Sequence, residues 1–93
     1  MEFNKDNRIQ TEEHMLYGTL GCISFGSRLE YVREEYQLPK TAVAKAVGVA
    51  PSTWGTYEHD LSFPAYETII RFCELFKVNQ DWLFTNEGEV YTD

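Results

Sequence analysis

The chain has 93 residues, of which 43% are hydrophobic and 15% aromatic, and it carries a formal net charge of −7 at pH 7. This length suits one domain, and the apolar content argues against an intrinsically disordered chain. Because no apolar run approaches the roughly 18 to 20 residues of a membrane span and no signal peptide is apparent, we expect a soluble, cytoplasmic protein without membrane contact.

The first 23 residues are the least regular part of the sequence. Scattered charges are followed by apolar residues that Gly18 and Gly21 interrupt. Because glycine weakens a continuous helix, we expect residues 1–23 to form a partly ordered arm lying on the domain. The alternative interpretation is a segment for dimerisation or for binding a partner protein.

The following stretch has the spacing of an amphipathic helix. Four apolar residues three or four positions apart share one face: Phe25, Leu29, Val32 and Tyr36. The charged residues between them are expected on the surface: Arg28, Glu30, Arg33, Glu34 and Glu35. The helix should end before Pro39, because the residue that precedes a proline disfavours helical geometry.

Residues 40–59 have the pattern of two short helices joined by a tight turn, which is a helix-turn-helix. Three apolar residues of the first helix share a face: Val43, Ala44 and Val47. Ala44 is small enough for the two helices to cross closely. Gly48 follows where an abrupt helix end needs a residue that tolerates a positive φ. Pro51 suits the first position of the second helix, since its missing N–H would be unpaired there.

The second helix has one face for packing and another for contact with a partner molecule. Trp54 and Tyr57 are three residues apart and are expected in the core. The other face carries small polar side chains and one imidazole: Ser52, Gly55, Thr56 and His59.

Two more helices are predicted downstream. Pro64 opens the first, whose apolar residues form a wide stripe: Tyr66, Ile69, Ile70, Cys73 and Phe76. Asn79 is a favourable N-cap for a short fifth helix from about residue 80 to residue 84. We therefore predict an all-α domain of five helices over residues 24–88, followed by a C-terminal tail over residues 89–93.

This pattern resembles the DNA-binding domain of the phage-repressor family, the Cro and C1-type, lambda-repressor-like regulators. The resemblance extends beyond the two-helix unit to these stretches: Phe25-Gly26-Ser27-Arg28-Leu29, Val32-Arg33-Glu34-Glu35, Leu38, Tyr57-Glu58, Pro64, Asp81-Trp82-Leu83 and Asn86-Glu87-Gly88. It implies a sequence-specific transcriptional regulator of phage or prokaryotic type, a repressor, that places helix 51–59 in the major groove of double-stranded DNA. The candidate DNA-binding residues are Lys40, Thr41, Pro51, Ser52, Thr53, Gly55, Thr56 and His59.

Within this interpretation, the cations near the helix-turn-helix have different expected roles. Lys40 is expected to meet a phosphate at the start of the first helix of the motif. Arg28 and Arg33 are either phosphate contacts or members of surface ion pairs with neighbouring glutamates. The apolar cluster Trp82, Leu83 and Phe84 is more than five short helices are expected to bury, and it predicts a homodimer. The alternative interpretation is that Trp82 and Leu83 simply close the core of one chain.

Charge is the main objection to DNA binding. A net charge of −7 is repelled by phosphates, although residues 24–64 contribute only −1 (four basic and five acidic side chains). The exposed face of helix 51–59 also lacks Arg, Lys, Asn and Gln, the usual bidentate readers of bases. The alternative hypothesis is a helix-turn-helix domain that acts through protein–protein interaction, as an antirepressor or acidic decoy, with little DNA binding.

No grouping of residues indicates catalysis, a cofactor or a metal site. Cys22 and Cys73 have no CxxC or Cys/His spacing, so we expect reduced thiols, with Cys73 packed as a small hydrophobic residue. His14 and His59 are expected to be solvated side chains. We therefore predict a protein that is not an enzyme and has no cofactor.

Overall fold

The computed structural model describes residues 3–9 and 23–93. Within these residues the chain forms five α-helices: α1 (Phe25–Glu35), α2 (Lys40–Val47), α3 (Pro51–Glu58), α4 (Tyr66–Phe76) and α5 (Gln80–Thr85). Helix α3 packs against α1 and α2, while α5 packs on α1 and α4 on α2. The all-α prediction is confirmed. The predicted arm, with Cys22 and His14, lies largely outside the described residues.

Local signals in the sequence explain most of the helix boundaries. The Ser24 hydroxyl accepts from the Ser27 N–H at 3.1 Å and the Ser27 hydroxyl accepts from the Ser24 N–H at 3.0 Å, which caps the start of α1 on both sides. Gly48 ends α2 with a φ of 82°, as predicted. Pro51 stands in the first turn of α3, and the Asn79 side chain accepts a first-turn N–H of α5.

Helix α4 begins two residues later than the sequence pattern predicted. Pro64 lies in the preceding loop, and the first intrahelical hydrogen bonds are donated by the N–H groups of Thr68 and Ile69. The carbonyl of Ala65 accepts both bonds, and Ala65 is therefore the N-cap of the helix. Pro64 thus closes the loop, and Tyr66 is the first helical residue.

The core lies between the five helices and is rich in aromatic rings. The largest fully buried side chains are Trp54, Phe72, Phe76, Leu29, Leu83, Val32 and Val43. Trp54 packs on Phe72 with 5.4 Å between ring centroids, so the indole of α3 is anchored on α4. Cys73 is also buried, and burial raises the pKa of its thiol to about 11. The predicted core positions of Val43, Ala44, Val47 and Trp54 are confirmed.

Two charged residues of α1 that were expected on the surface are buried. The Arg28 Nε donates to the Leu83 carbonyl at 2.6 Å, so this guanidinium fastens the end of α5 and is not a phosphate contact. The Glu35 carboxylate accepts from the hydroxyls of Tyr31, at 2.8 Å, and Tyr91. Helical periodicity could not reveal either position, because Leu83 and Tyr91 are more than fifty residues away in sequence.

Residues near both ends of the chain meet beside α1. Arg8 forms a salt bridge with Asp93 at 3.0 Å, and its guanidinium lies 3.6 Å from the centroid of the Tyr91 ring. Tyr91 in turn donates to the Glu35 carboxylate at the last turn of α1. These contacts attach segments 3–9 and 89–93 to the helices.

None of the helices in the described ranges, 3–9 and 23–93, combines the length and the apolar character that crossing a membrane takes.

Candidate nucleic-acid interface

The turn between α2 and α3 fixes the relative position of the two helices. The Gly48 N–H donates to the Lys45 carbonyl, and the Val49 N–H donates to the Ala44 carbonyl at 2.9 Å. Ala44 has no exposed surface, in agreement with the prediction that only a small side chain fits there. The left-handed turn at Gly48 therefore closes a tight helix-turn-helix.

A second glycine, Gly26, allows α1 and α3 to lie very close together. A Cβ atom on Gly26 would lie 2.5 Å from the carbonyl oxygens of both Tyr57 and Glu58, and 2.8 Å from Asp60 Oδ1. The Gly26 N–H also donates to that Asp60 carboxylate at 2.8 Å. The start of α1 thus lies directly on the end of α3, at a distance that no other residue type permits.

The buried carboxylate of Glu58 connects the inward side of α3 to α1. The Oε2 atom of Glu58 accepts from Trp54 Nε1 at 2.5 Å and from Arg33 Nε at 2.7 Å, and its Oε1 atom accepts from Arg33 Nη2 at 3.1 Å. Arg33 also donates to the Leu38 carbonyl at 3.0 Å. Burial acts to lower the pKa of Arg33, but the hydrogen bond and charge of Glu58 outweigh it and raise this pKa. Arg33 therefore forms a structural ion pair with Glu58 and is not a phosphate contact.

The outward face of α3 lies opposite this buried network. Six candidate residues are on α3 or just after it, and all retain exposed surface: Pro51, Ser52, Thr53, Gly55, Thr56 and His59. Gly55 lies in open space, because no heavy atom is within 4 Å of the Cβ position. The other two candidates, Lys40 and Thr41, form the first turn of α2. The outward face of α3 thus carries no Lys, Arg, Asp or Glu among these candidates.

The hydroxyl of Thr56 is already engaged inside the domain. Its Oγ1 atom donates to the Thr53 carbonyl at 2.7 Å and lies 2.6 Å from the Ser62 hydroxyl. The N–H groups of Leu61 and Ser62 both donate to the Thr56 carbonyl. The loop after α3 therefore folds back along the helix and covers one side of Thr56.

One cation beside the motif could not be predicted from the sequence. The Arg71 Nη1 atom of α4 lies 3.6 Å from the Cβ position of Gly48, next to the turn between α2 and α3. Arg71 is 23 residues away along the chain, so only the packing of α4 on α2 brings it there. Together with Lys40 and Lys45, it makes the α2 side of the motif the more basic side.

The comparisons with known proteins agree with this geometry. Residues 26–89 match the family model of a helix-turn-helix domain. The structure is similar to that of the P22 c2 repressor protein, solved in complex with synthetic operator 9T in the presence of Tl+. The two chains share 21% sequence identity with a TM-score of 0.64, over 68% of this chain and 96% of that one. No curated protein matches the sequence.

Proposed function

We propose, on the premise that this chain belongs to the helix-turn-helix domain family, that it is a sequence-specific transcriptional regulator of phage or prokaryotic type. In this proposal it acts as a repressor, is cytoplasmic and has no enzymatic activity. Residues 51–59 lie in the major groove of double-stranded DNA, and the first turn of α2 meets the phosphate backbone. The observation that carries the proposal is the outward face of α3, whose opposite side is fixed by close contacts with α1.

Rigidity supports DNA reading because base contacts require a helix held at a fixed depth and angle. Gly26 sets the distance between α1 and α3, while Arg33 and Trp54 hold Glu58 on the buried side. The P22 c2 repressor, whose fold is similar, is itself seen with an operator. The site residues proposed for this chain are those predicted from the sequence, from Lys40 and Thr41 on α2 to His59.

Electrostatics sets the expected character of binding. The net charge of −7 opposes DNA, so affinity must depend on few cations near the motif. Lys40 is the best placed of them, since it stands in the first turn of α2, where the helix dipole adds positive charge. Binding should therefore be modest at physiological salt and should strengthen with a shallow slope as the salt is lowered, because the slope scales with the number of phosphate contacts.

The proposal is tested by fluorescence anisotropy at low salt, with random duplex and with the DNA that flanks the gene as two probes. We expect tighter binding to the flanking DNA. A protein without measurable affinity for either probe, even at low salt, is not a DNA-binding regulator.

Lys40→Ala should weaken binding to both probes by the same factor and lower the salt slope by about one unit, because one phosphate contact is lost. Lys77→Ala is the matched control: it removes the same charge from an exposed lysine just after α4, in a cleft shared with Phe3 and Asp93. The control should leave the salt slope unchanged. Equal slopes for Lys40→Ala and wild-type protein would mean that Lys40 meets no phosphate.

We also propose a homodimer. The reason is an exposed group of aromatic rings and not the whole cluster Trp82, Leu83 and Phe84 from which the sequence predicted it. Trp82 and Leu83 are only 2% and 0% exposed, so they close the core of one chain. Phe84 is 44% exposed and Phe63 is 61% exposed, and both rings lie on Phe25, with centroids 5.7 Å and 4.5 Å from it. These three rings form an aromatic patch next to the end of α3, and apolar patches of this kind commonly mark interfaces.

A dimer through the aromatic patch would place two α3 helices side by side. If their separation matches one DNA turn, about 34 Å, two weak half-site contacts add. Light scattering at tens of micromolar should give twice the 10.8 kDa mass of one chain. Phe63→Gln with Phe84→Gln should give a monomer that stays folded, because Phe63 is 61% exposed and Phe84 is 44% exposed and neither belongs to the buried core. A monomeric wild-type mass, with and without DNA, would refute the dimer.

A second candidate function is a helix-turn-helix domain directed to a protein partner, as an antirepressor or acidic decoy. The net charge of −7 and the lack of bidentate base readers on α3 favour it. In that case the protein shows no DNA affinity at low salt, and a partner protein is retained on the α3 surface. Thr56→Arg, which adds a bulky charge to that surface, should then abolish the protein contact.

A further inference from the structure

We infer that Thr56 reads a thymine through its side-chain methyl group and not through its hydroxyl. This inference rests on the proposed function, and it names the chemistry by which one residue of α3 selects a base. It predicts a thymine in each half-site opposite Thr56.

Thr56 occupies the centre of the outward face. Trp54 and Glu58 are the buried residues of α3, at 1% and 5% exposure, and they mark the inward side of the helix. With 3.6 residues per turn, the direction midway between them points away from Thr56, which therefore stands on the opposite side. Residues at this angle face whatever lies against the exposed surface of the helix.

The hydroxyl of Thr56 has two partners inside the domain. A hydroxyl has one hydrogen, and that of Thr56 is directed to the Thr53 carbonyl at 2.7 Å. The Ser62 hydroxyl, 2.6 Å away, must then be the donor of the second bond and occupies one lone pair of the Thr56 oxygen. Turning the oxygen toward its own helix and the loop leaves the methyl as the part of the side chain that can be offered outward.

A methyl group on α3 has one specific partner among the bases. Thymine presents its C5-methyl in the major groove, where apolar side-chain atoms contact it, and uracil lacks only that methyl. The removal of one buried methyl contact corresponds to about fourfold in Kd, from roughly 0.8 kcal/mol per methyl. A thymine-to-uracil exchange is therefore a direct probe of the contact.

The experiment begins with selection of the best binding sequence from random duplex DNA. Each thymine of the selected site is then replaced by uracil in turn, and Kd is measured for three proteins: the wild type, Thr56→Val and Thr56→Ser. Thr56→Val keeps a methyl at this position and removes the hydroxyl, whereas Thr56→Ser keeps the hydroxyl and removes the methyl. The melting temperature of each variant shows that the comparison is made between folded proteins.

We expect one thymine per half-site whose exchange for uracil weakens the wild type and Thr56→Val by about fourfold. For Thr56→Ser the thymine and uracil sites should bind equally. The inference is overturned if Thr56→Ser still prefers thymine, if Thr56→Val loses the preference, or if the selected site has no such thymine. If selection yields no bound DNA at all, the proposed function fails together with the inference. If DNA is selected but the expected thymine preference is missing, only the inference fails.

Discussion

Gly26→Ala should destabilise the domain by about 3 kcal/mol, at the upper end of the usual penalty for overpacking. The added Cβ would be 2.5 Å from two backbone carbonyls, of Tyr57 and Glu58, which cannot rotate away as a side chain can. Relief of the contact requires α1 and α3 to separate. We therefore expect a lower midpoint of chemical denaturation and, in the protein that remains folded, weaker binding to DNA.

Gly55→Ala is the matched control, since it makes the same change in a helix but in open space. No heavy atom lies within 4 Å of the Cβ position of Gly55. Alanine is a better helix former than glycine, so this variant should be as stable as the wild type or up to about 1 kcal/mol more stable. If Gly26→Ala unfolds at the same denaturant concentration as Gly55→Ala, the contact between α1 and α3 is not as tight as described.

Arg33→Met should have an effect of similar size for an electrostatic reason. It would leave the Glu58 carboxylate buried without the Arg33 guanidinium, so that the hydrogen bond from Trp54 Nε1 stays but the ion pair is lost. Breaking a buried ion pair by the removal of one partner typically costs about 3 to 5 kcal/mol. Denaturation followed by circular dichroism measures the loss, and Lys45→Met, at an exposed cation of α2, should change stability by less than about 0.5 kcal/mol.

A double variant separates lost charge pairing from lost packing. Arg33→Met combined with Glu58→Leu removes both charges, and well-packed apolar replacements of buried ion pairs are often neutral. The double variant should therefore be more stable than Arg33→Met alone. If instead the two losses simply add, the stability comes from the shape of the side chains and not from the ion pair.

Several features were predictable because they depend on neighbouring residues. Gly48 ends α2, Pro51 starts α3 and Asn79 caps α5, and each acts on the backbone within a few positions. The apolar spacing of Val43 and Val47 likewise marks the buried face of α2, which the structure confirms. The helix-turn-helix could therefore be located from the sequence alone.

Other features depend on contacts between distant parts of the chain. Arg28 and Glu35 have the spacing of surface residues on α1, yet their partners Leu83 and Tyr91 lie on or after α5. The pairing of Arg33 with Glu58 requires α1 to pack on α3. No periodicity within one helix contains this information, so the buried charges were wrongly assigned to the surface.

The candidate site likewise has some features that depend on neighbouring residues and others that depend on distant parts of the chain. Helical spacing predicts that Thr56 lies on the outward side of α3, because the position depends only on the residues of that helix. The capture of its hydroxyl by Ser62 depends on how the following loop folds back. The location of Arg71 beside Gly48 depends on the packing of α4. The sequence therefore indicated which residues face outward, but not which of their atoms are free to bind.

The salt bridge between Arg8 and Asp93 has a consequence for the lifetime of the folded state. The two residues are 85 positions apart, so this contact closes a very long loop and should form only after the helices have assembled. Interactions that are absent from the folding transition state slow unfolding without accelerating folding. The contacts between the two terminal segments should therefore slow unfolding, which lengthens the time for which the domain resists a protease that cleaves the unfolded chain rapidly.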